Sequence, residues 1–156
     1  MIKHILVIFS FLIAGCNANE SFIDPLDPKF ENLSFDVVQK KLEIDAELPD
    51  YVLSLTNKWF DQKVKIDGFD GEMKFTISEY LEETSSISDG KRVDISLSFI
   101  VVLNKPILSQ TQIIEGSVFS FGTLTGNFSL AEFDTVIQNT QSDLFLRLSR
   151  DLKSKI

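Results

Sequence analysis

The segment Val93-Asp94-Ile95-Ser96-Leu97-Ser98-Phe99-Ile100-Val101-Val102-Leu103 decides the fold class. Its apolar side chains occupy every second position, which is the period of a β-strand with one buried face. The intervening positions also become apolar at Ile100 and Val102, so we expect the far half of this strand to be covered on both sides. A strand of this kind needs neighbouring strands and a helical layer to cover its apolar face.

Two flanking segments predict the neighbouring strands. Residues 73–81 alternate in the same way, and a polar stretch from 82 to 91 with the turn signal Asp89-Gly90 follows them. A further strand runs from about 110 to 121, where Gly116 marks a bulge or a close-approach point. Because the connections are short, the three strands should form an antiparallel meander.

The outer segments complete the predicted order of elements. Residues 42–48 alternate and predict a first strand, and Pro49 suits the first turn of a helix over 49–64. Ser129 and Glu132 form a capping box, which begins a helix over 129–154. The order β-α-β-β-β-α predicts an α+β fold: a four-stranded, mostly antiparallel sheet with two helices on one face.

The N-terminus has the parts of an export signal. A short positive region precedes an apolar run over 5–14, which as a helix spans about 15 Å and is too short to cross roughly 30 Å of hydrocarbon. The run ends in Leu12-Ile13-Ala14-Gly15-Cys16, which resembles the lipobox of bacterial lipoproteins. That resemblance implies cleavage between Gly15 and Cys16 and attachment of fatty acyl chains to the Cys16 thiol.

The same resemblance divides the chain into three parts. Residues 1–15 are the expected signal peptide, 16–34 a lipidated tether and 35–156 a single domain, since Pro25 and Pro28 favour extended chain in the tether. Asn17 follows the cysteine in place of an aspartate. In the sorting rule of Gram-negative lipoproteins, this implies the periplasmic leaflet of the outer membrane, with the lipid anchor as the contact to the membrane.

The composition excludes several functional classes. The formal charge of −8 becomes −9 without the signal peptide, because Lys3 is the one charged residue within 1–15, and an acidic domain repels nucleic acids. His4 and Cys16 are the only histidine and cysteine. Catalytic triads, histidine zinc sites and cysteine redox pairs are therefore impossible in the mature domain. We expect a protein that is not an enzyme and has no cofactor.

Four cations near the C-terminus form one candidate contact site. Their chemistry suits the phosphates of a lipid headgroup or an acidic patch on a partner protein. The alternative, which we favour, is that cations at a helix C-terminus stabilise the helix by about 0.3–1 kcal/mol each. The four residues are Arg147, Arg150, Lys153 and Lys155.

Three further features have a functional and a structural interpretation. Asp67, Asp70 and Glu72 could supply oxygen ligands for Ca²⁺. Their spacing is not that of an EF-hand, so we favour a solvated turn that binds no metal. Trp59 is either an interface anchor or, since it lies on the apolar helix face, a core residue, which we favour. Glu82-Glu83 cannot share an acid/base site, because adjacent strand residues point to opposite faces.

The order of elements resembles the lipopolysaccharide-assembly lipoprotein (LptE-like) family, and also a group of Gram-negative lipoproteins of similar length. That family implies a domain that sits inside a large outer-membrane β-barrel partner and contacts lipopolysaccharide. Our first hypothesis is therefore a non-enzymatic assembly or scaffolding factor that binds an envelope protein through a sheet edge or exposed face. The alternative is a lipid- or glycolipid-binding module with a cavity between helices and sheet, and a third is a serine or carboxylate hydrolase.

Overall fold

A computed structural model describes residues 29–156. The predicted signal peptide, the cleavage site at Gly15 and Cys16, and the tether up to residue 28 lie outside the described residues. The helices are α1 (Asp50–Lys63) and α2 (Leu130–Lys155). The strands are β1 (Leu33–Phe35), β2 (Gln39–Ile44), β3 (Val64–Ile66), β4 (Glu72–Ile87), β5 (Gly90–Lys105) and β6 (Gln110–Thr125).

The main sheet has the strand order β2-β4-β5-β6. β2 pairs parallel with β4, whereas β4, β5 and β6 pair antiparallel, and α1 and α2 pack on the same face. The predicted α+β fold with a four-stranded, mostly antiparallel sheet is therefore confirmed. The structure adds a small parallel sheet of β1 and β3, each only three residues long.

The three long strands extend well beyond β2 and α1. Each of β4, β5 and β6 has 16 residues, or about 53 Å at 3.3 Å per residue, but β2 accompanies β4 only over Glu72–Ile77. A β-bulge between Ile77 and Glu79 marks the change. We call residues 78–98 and 117–141 the tip half, and the other described residues the base half.

The core of the base half is a set of contacting aromatic rings. Trp59 of α1 is fully buried and meets Phe75 of β4 and Phe145 of α2 edge-on at ring-centroid distances of 5.3 and 5.9 Å. Phe75 stacks on Phe99 of β5 at 5.8 Å. The Trp59 indole N–H is satisfied by the Ser149 hydroxyl at 2.8 Å. The predicted core role of Trp59 is confirmed.

Several predicted details differ from the structure. Phe30 and Leu33, placed in the tether by the sequence, are buried because β1 docks on β3. No described element covers the outer sheet face, where Ile100 and Val102 are half-buried by side chains of the neighbouring strands. β4 also continues to Ile87 through the polar stretch, since pairing with β5 satisfies its backbone there.

Gly116 is a close-approach point and not a bulge. The pairing of β5 with β6 runs without a register shift through the Phe99–Gly116 pair. A Cβ at Gly116 would lie 2.5 Å from the Cζ of Phe99 and 2.7 Å from the Nζ of Lys155. The absent side chain therefore makes room for the core ring and for the end of α2.

Candidate partner-docking edge

β6 forms a complete edge of the main sheet. Among the described residues it pairs only with β5, so one side of its 16-residue backbone has no strand partner. Edge strands are usually protected by lysine, proline, bulges or short length. β6 has no Lys, Arg or Pro, no register shift and one charged residue, Glu115. The Lys155 ammonium of α2 donates to the Glu115 carbonyl at 3.1 Å. The rest of the strand offers its free backbone side as a template for a further strand.

Apolar side chains on the outer sheet face accompany this edge. Ile113, Phe119 and Phe121 are 61%, 46% and 52% exposed. The rings of Phe119 and Phe121 lie 6.2 Å apart, and the Arg92 guanidinium lies 4.5 Å from the centroid of Phe121. A strand added to β6 would bury these rings as well as its own backbone groups.

The inner side of β6 is fixed to α2. The Ser120 hydroxyl donates to Asp143 Oδ2 at 2.7 Å, and Arg147 Nε donates to the same oxygen at 2.7 Å. Burial of the Asp143 carboxyl raises its pKa, but the hydrogen bonds from Arg147 and Ser120 outweigh this effect and hold the pKa below its ordinary value. The Asp143 carboxylate thus stays charged and holds the edge strand against the helix.

The four predicted cations of α2 do not form one cluster. Arg147 and Lys155 each pair at 2.7 Å with an acidic residue one turn earlier. Lys153 Nζ lies 3.5 Å from the Asn32 carbonyl, and Arg150 is exposed. At 100° per residue the four are spread over about 200° of the helix. Their contact with a phosphate or partner stays a prediction.

A polar cluster lies on the inner face of β4 in the tip half, next to the buried Ile95 and Leu97 of β5. The Tyr80 hydroxyl donates to Glu82 Oε2 at 2.5 Å, and Gln141 Nε2 donates to the same oxygen at 2.9 Å. Burial and the neighbouring Glu82 carboxylate raise the pKa of Tyr80, so the phenol keeps its proton and acts as a donor. Glu83 lies on the outer face of the sheet, where it pairs with Asp94 of β5, so Glu82 and Glu83 point to different faces as the sequence indicated.

The acidic turn between β3 and β4 uses its carboxylates as hydrogen-bond acceptors. Asp67 Oδ2 accepts from the Ser34 hydroxyl at 2.7 Å, and Asp70 Oδ2 accepts from the Ile107 backbone N–H at 3.1 Å. Within residues 29–156, no group of three or more His, Cys, Asp or Glu side chains lies close enough to hold a metal ion. The two carboxylates instead fix neighbouring segments of the base half.

Buried side chains, among them Phe75, Phe99 and Phe145, lie between the helices and the sheet. A pocket of about 250 Å³ lies at the base end, and Asp36, Lys105 and Gln110 are among the polar side chains that line it. This shape does not match the open apolar cavity that the lipid-binding hypothesis requires. In the part of the chain that the structure describes, no helix is long and apolar enough to cross a membrane.

The exposed aromatic residues of β6 were not identified from the sequence. The strand from 110 to 121 was predicted, but its core-facing residues are Ile114 and Val118. Phe119 and Phe121 occupy the alternate positions and point outwards. The sequence did contain evidence for these residues. When a strand has apolar residues on both of its faces and lies at the edge of a sheet, those on one face are left outside the core.

Comparisons with known proteins add only distant likenesses. No protein-family model matches the chain, and no curated protein matches it in sequence. A minor lipoprotein of Acinetobacter baumannii is similar at a TM-score of 0.49 and 11% identity, over 76% of this chain and 94% of its own. A DUF330 protein of Xanthomonas campestris is similar at a TM-score of 0.42 and 10% identity, over 83% of this chain and 94% of its own.

The lipoprotein GNA1162 of Neisseria meningitidis is similar at a TM-score of 0.34 and 11% identity, over 70% of this chain and 98% of its own. Two of these three structures carry the word lipoprotein in their names. Since every one of these TM-scores lies below 0.5, the likenesses carry no conclusion about fold or function.

Proposed function

We propose that this chain is a lipid-anchored, non-enzymatic assembly or scaffolding factor of the cell envelope, held in the periplasmic leaflet of the outer membrane. Its domain binds a protein partner by β-strand addition to β6. The observation that carries the proposal is the unpaired 16-residue edge of β6, which has a single charged residue. In strand addition, backbone hydrogen bonds supply affinity and pockets for alternate side chains supply specificity.

The side chains around the edge support this mode of binding. Phe119 and Phe121 are large, rigid and half-exposed, which is the residue type that dominates binding energy at protein interfaces. Their position on the outer face, away from both helices, leaves them accessible to a partner. The hydrogen bond from Ser120 to Asp143 fixes the strand from behind, so little backbone ordering is needed on binding.

The edge is tested with the full-length chain in intact cells. A photoreactive residue replaces Ser117, an exposed residue of β6, and the control replaces Ser54, an exposed residue of α1. We expect one envelope protein to crosslink at 117 and not at 54, and its size and solubility should be those of an outer-membrane β-barrel. Identical adducts at both positions would contradict docking at the edge.

A charge variant gives an independent test. Thr123→Lys places an ammonium group on the exposed edge strand, and lysine on an edge opposes strand addition. We expect the crosslink at 117 to fall roughly tenfold, which corresponds to about 1.4 kcal/mol of lost binding. Ser54→Lys adds the same charge on α1 and should leave the crosslink unchanged.

The lipid anchor is tested separately. Intact-mass analysis of the mature chain should show a product that begins at Cys16 and carries acyl chains, and Cys16→Ser should release the protein from the membrane fraction. Two or more chains hold a protein firmly, because each buried CH₂ contributes about 0.8 kcal/mol. An unmodified thiol would refute the anchor without affecting the test of the β6 edge.

A further inference from the structure

Exposed apolar side chains are concentrated at the loops of the base end. Phe69, between β3 and β4, is 82% exposed, and Ile107 and Leu108, between β5 and β6, are 72% and 53% exposed. Val38, just before β2, is half-exposed as well. Single exposed apolar residues are ordinary on soluble proteins, but several on neighbouring loops mark an interaction surface. We call these four residues the base surface.

Hydrogen bonds join the loops of the base surface to one another. The Ile107 N–H donates to Asp70 at 3.1 Å, which connects the two loops that carry Phe69 and Leu108. The Val38 N–H donates to the Gly71 carbonyl at 3.1 Å. These contacts hold the segments that carry the apolar side chains next to one another at one end of the sheet.

Charge is distributed unequally between the two ends. The tip half has seven acidic side chains and two basic ones, Lys91 and Arg92. The acidic residues are Glu79, Glu82, Glu83, Asp89, Asp94, Glu132 and Asp134. The base half is close to neutral, with thirteen acidic and twelve basic side chains. An anionic lipid surface therefore repels the tip half and tolerates the base half.

The chain also joins the domain in the base half. Asn32 lies next to Lys153 near the end of α2, and β1 leads from there to Asp36, which pairs with Lys105 at the base end. Residues 17–28, which separate Cys16 from the described chain, span at most about 40 Å when extended. An anchor at Cys16 is therefore short enough to keep the base half at the membrane.

We propose that the base surface rests on the membrane and inserts Phe69, Ile107 and Leu108 among the lipid headgroups and upper acyl chains. The proposal rests on the lipid anchor of the proposed function. The anchor supplies a high effective concentration, so even a weak affinity of the loops for lipid is sufficient. Apolar side chains at such a surface reach about 5–10 Å into the boundary between headgroups and acyl chains.

This orientation has a consequence for the docking edge. The long strands run from the base end to the tip, so insertion of the base surface sets β6 upright on the membrane. Its unpaired backbone then faces sideways along most of the height of the domain. A partner in the same membrane meets the whole edge without a change in the domain's position.

The test uses the full lipidated chain in vesicles of phosphatidylethanolamine and phosphatidylglycerol whose acyl chains carry bromine near the headgroups. Bromine quenches tryptophan fluorescence on contact, and the sole native tryptophan, Trp59, is fully buried. The variants Phe69→Trp and Ile107→Trp report on the base surface. Leu130→Trp is the matched control, because Leu130 is 76% exposed but begins α2 at the tip.

We expect the added emission of Phe69→Trp and Ile107→Trp to fall by roughly half on bromination, and that of Leu130→Trp by less than about a tenth, given the shallow insertion depth. Equal quenching at all three positions, or none at 69 and 107 in a protein that still floats with the vesicles, would overturn the proposal. Failure to float at all would instead refute the anchor.

Discussion

The two halves of the molecule share three strands but differ in how these strands are covered. In the base half, Met73, Phe75 and Ile77 of β4 are buried beneath α1 and α2. In the tip half, every residue of β4 from Glu79 to Ile87 is exposed except Tyr80, which is half-buried. The difference shows that β4 is buried only in the half that α1 covers, whereas β5 stays buried in the tip half at Val93, Ile95 and Leu97.

The chemistry of the two halves follows from this coverage. The base half contains the aromatic core around Trp59. The inner face of the tip half has aliphatic residues of β5 beside Tyr80 and Glu82 of β4, and Gln141 of α2 donates to Glu82. Local stability depends on buried apolar contacts and on protection of backbone hydrogen bonds from water. We therefore expect the tip half to open before the base half, and the following changes test this order.

The largest effect should come from Trp59→Ala. The side chain is fully buried and contacts rings from β4 and α2, so its removal should cost about 3–5 kcal/mol in the free energy of unfolding. Denaturant unfolding followed by far-UV circular dichroism measures the loss. A loss below about 1 kcal/mol would show that the base half does not carry the stability of the domain.

Trp59→Phe is the control for this change. It keeps an aromatic ring in the core but removes the indole N–H that donates to Ser149. Since the Ser149 hydroxyl also donates to the Phe145 carbonyl at 2.9 Å, it keeps a partner. We expect Trp59→Phe to be clearly less destabilising than Trp59→Ala.

A smaller and local effect is expected from Gly122→Ala in the tip half. A Cβ at this position would lie 2.3 Å from Thr140 Oγ1 and 2.7 Å from Val136 Cγ1, so α2 must move away from β6. Overpacking of this kind costs about 1–3 kcal/mol. Hydrogen exchange should accelerate in the first half of α2 and stay slow around Trp59. Ser117→Ala, at an exposed site on the same strand, should leave hydrogen exchange unchanged in both regions.

The next effect concerns the start of α2. The Ser129 hydroxyl accepts from the Glu132 backbone N–H at 3.2 Å, and the Glu132 carboxylate accepts from the Ser129 N–H at 2.7 Å. Ser129→Ala removes the first bond and should cost about 1 kcal/mol. Ser154→Ala, near the other end of the helix, should change stability by less than about 0.5 kcal/mol. Equal losses of unfolding free energy in Ser129→Ala and Ser154→Ala would argue against a tip half that differs in stability from the base half.

Much of this comparison was accessible from the sequence. The alternation over 93–103 and the capping box at Ser129 depend on neighbours along the chain, so they predicted β5 and the start of α2. The length of β4 was underestimated because residues 82–87 are polar. They form a strand through pairing with β5, which local composition does not report.

The candidate docking edge was only partly predictable. The sequence identified the residues of β6, but its place at the edge depends on strand order, and the strand order depends on packing between distant segments. The burial of Phe30 and Leu33 was missed for the same reason, because β1 is stabilised by a three-residue pairing with β3 across about thirty positions.

The smallest effect is expected from Glu43→Gln on β2, at the outer face of the base half. Hydrogen bonds from Lys41 at 2.7 Å and Lys74 at 2.9 Å lower the pKa of Glu43 from 4.5 to about 2. The folded state therefore favours the carboxylate, and its contribution is present above pH 4.5 and is lost as the pH falls towards 2.

Glu43→Gln should make the unfolding free energy less dependent on pH over this window and leave it nearly unchanged at higher pH, because exposed ion pairs contribute little and are screened by salt. Unfolding measured from pH 5 to pH 2 at low and high salt tests this. The matched change at the tip is Glu132→Gln, since hydrogen bonds from the Ser129 N–H and hydroxyl also lower the Glu132 pKa. Glu43→Gln could instead change how the unfolding free energy depends on salt at neutral pH and leave its fall between pH 5 and pH 2 unchanged. In that case Lys41 and Lys74 would not contact the Glu43 carboxylate as they do in the structure.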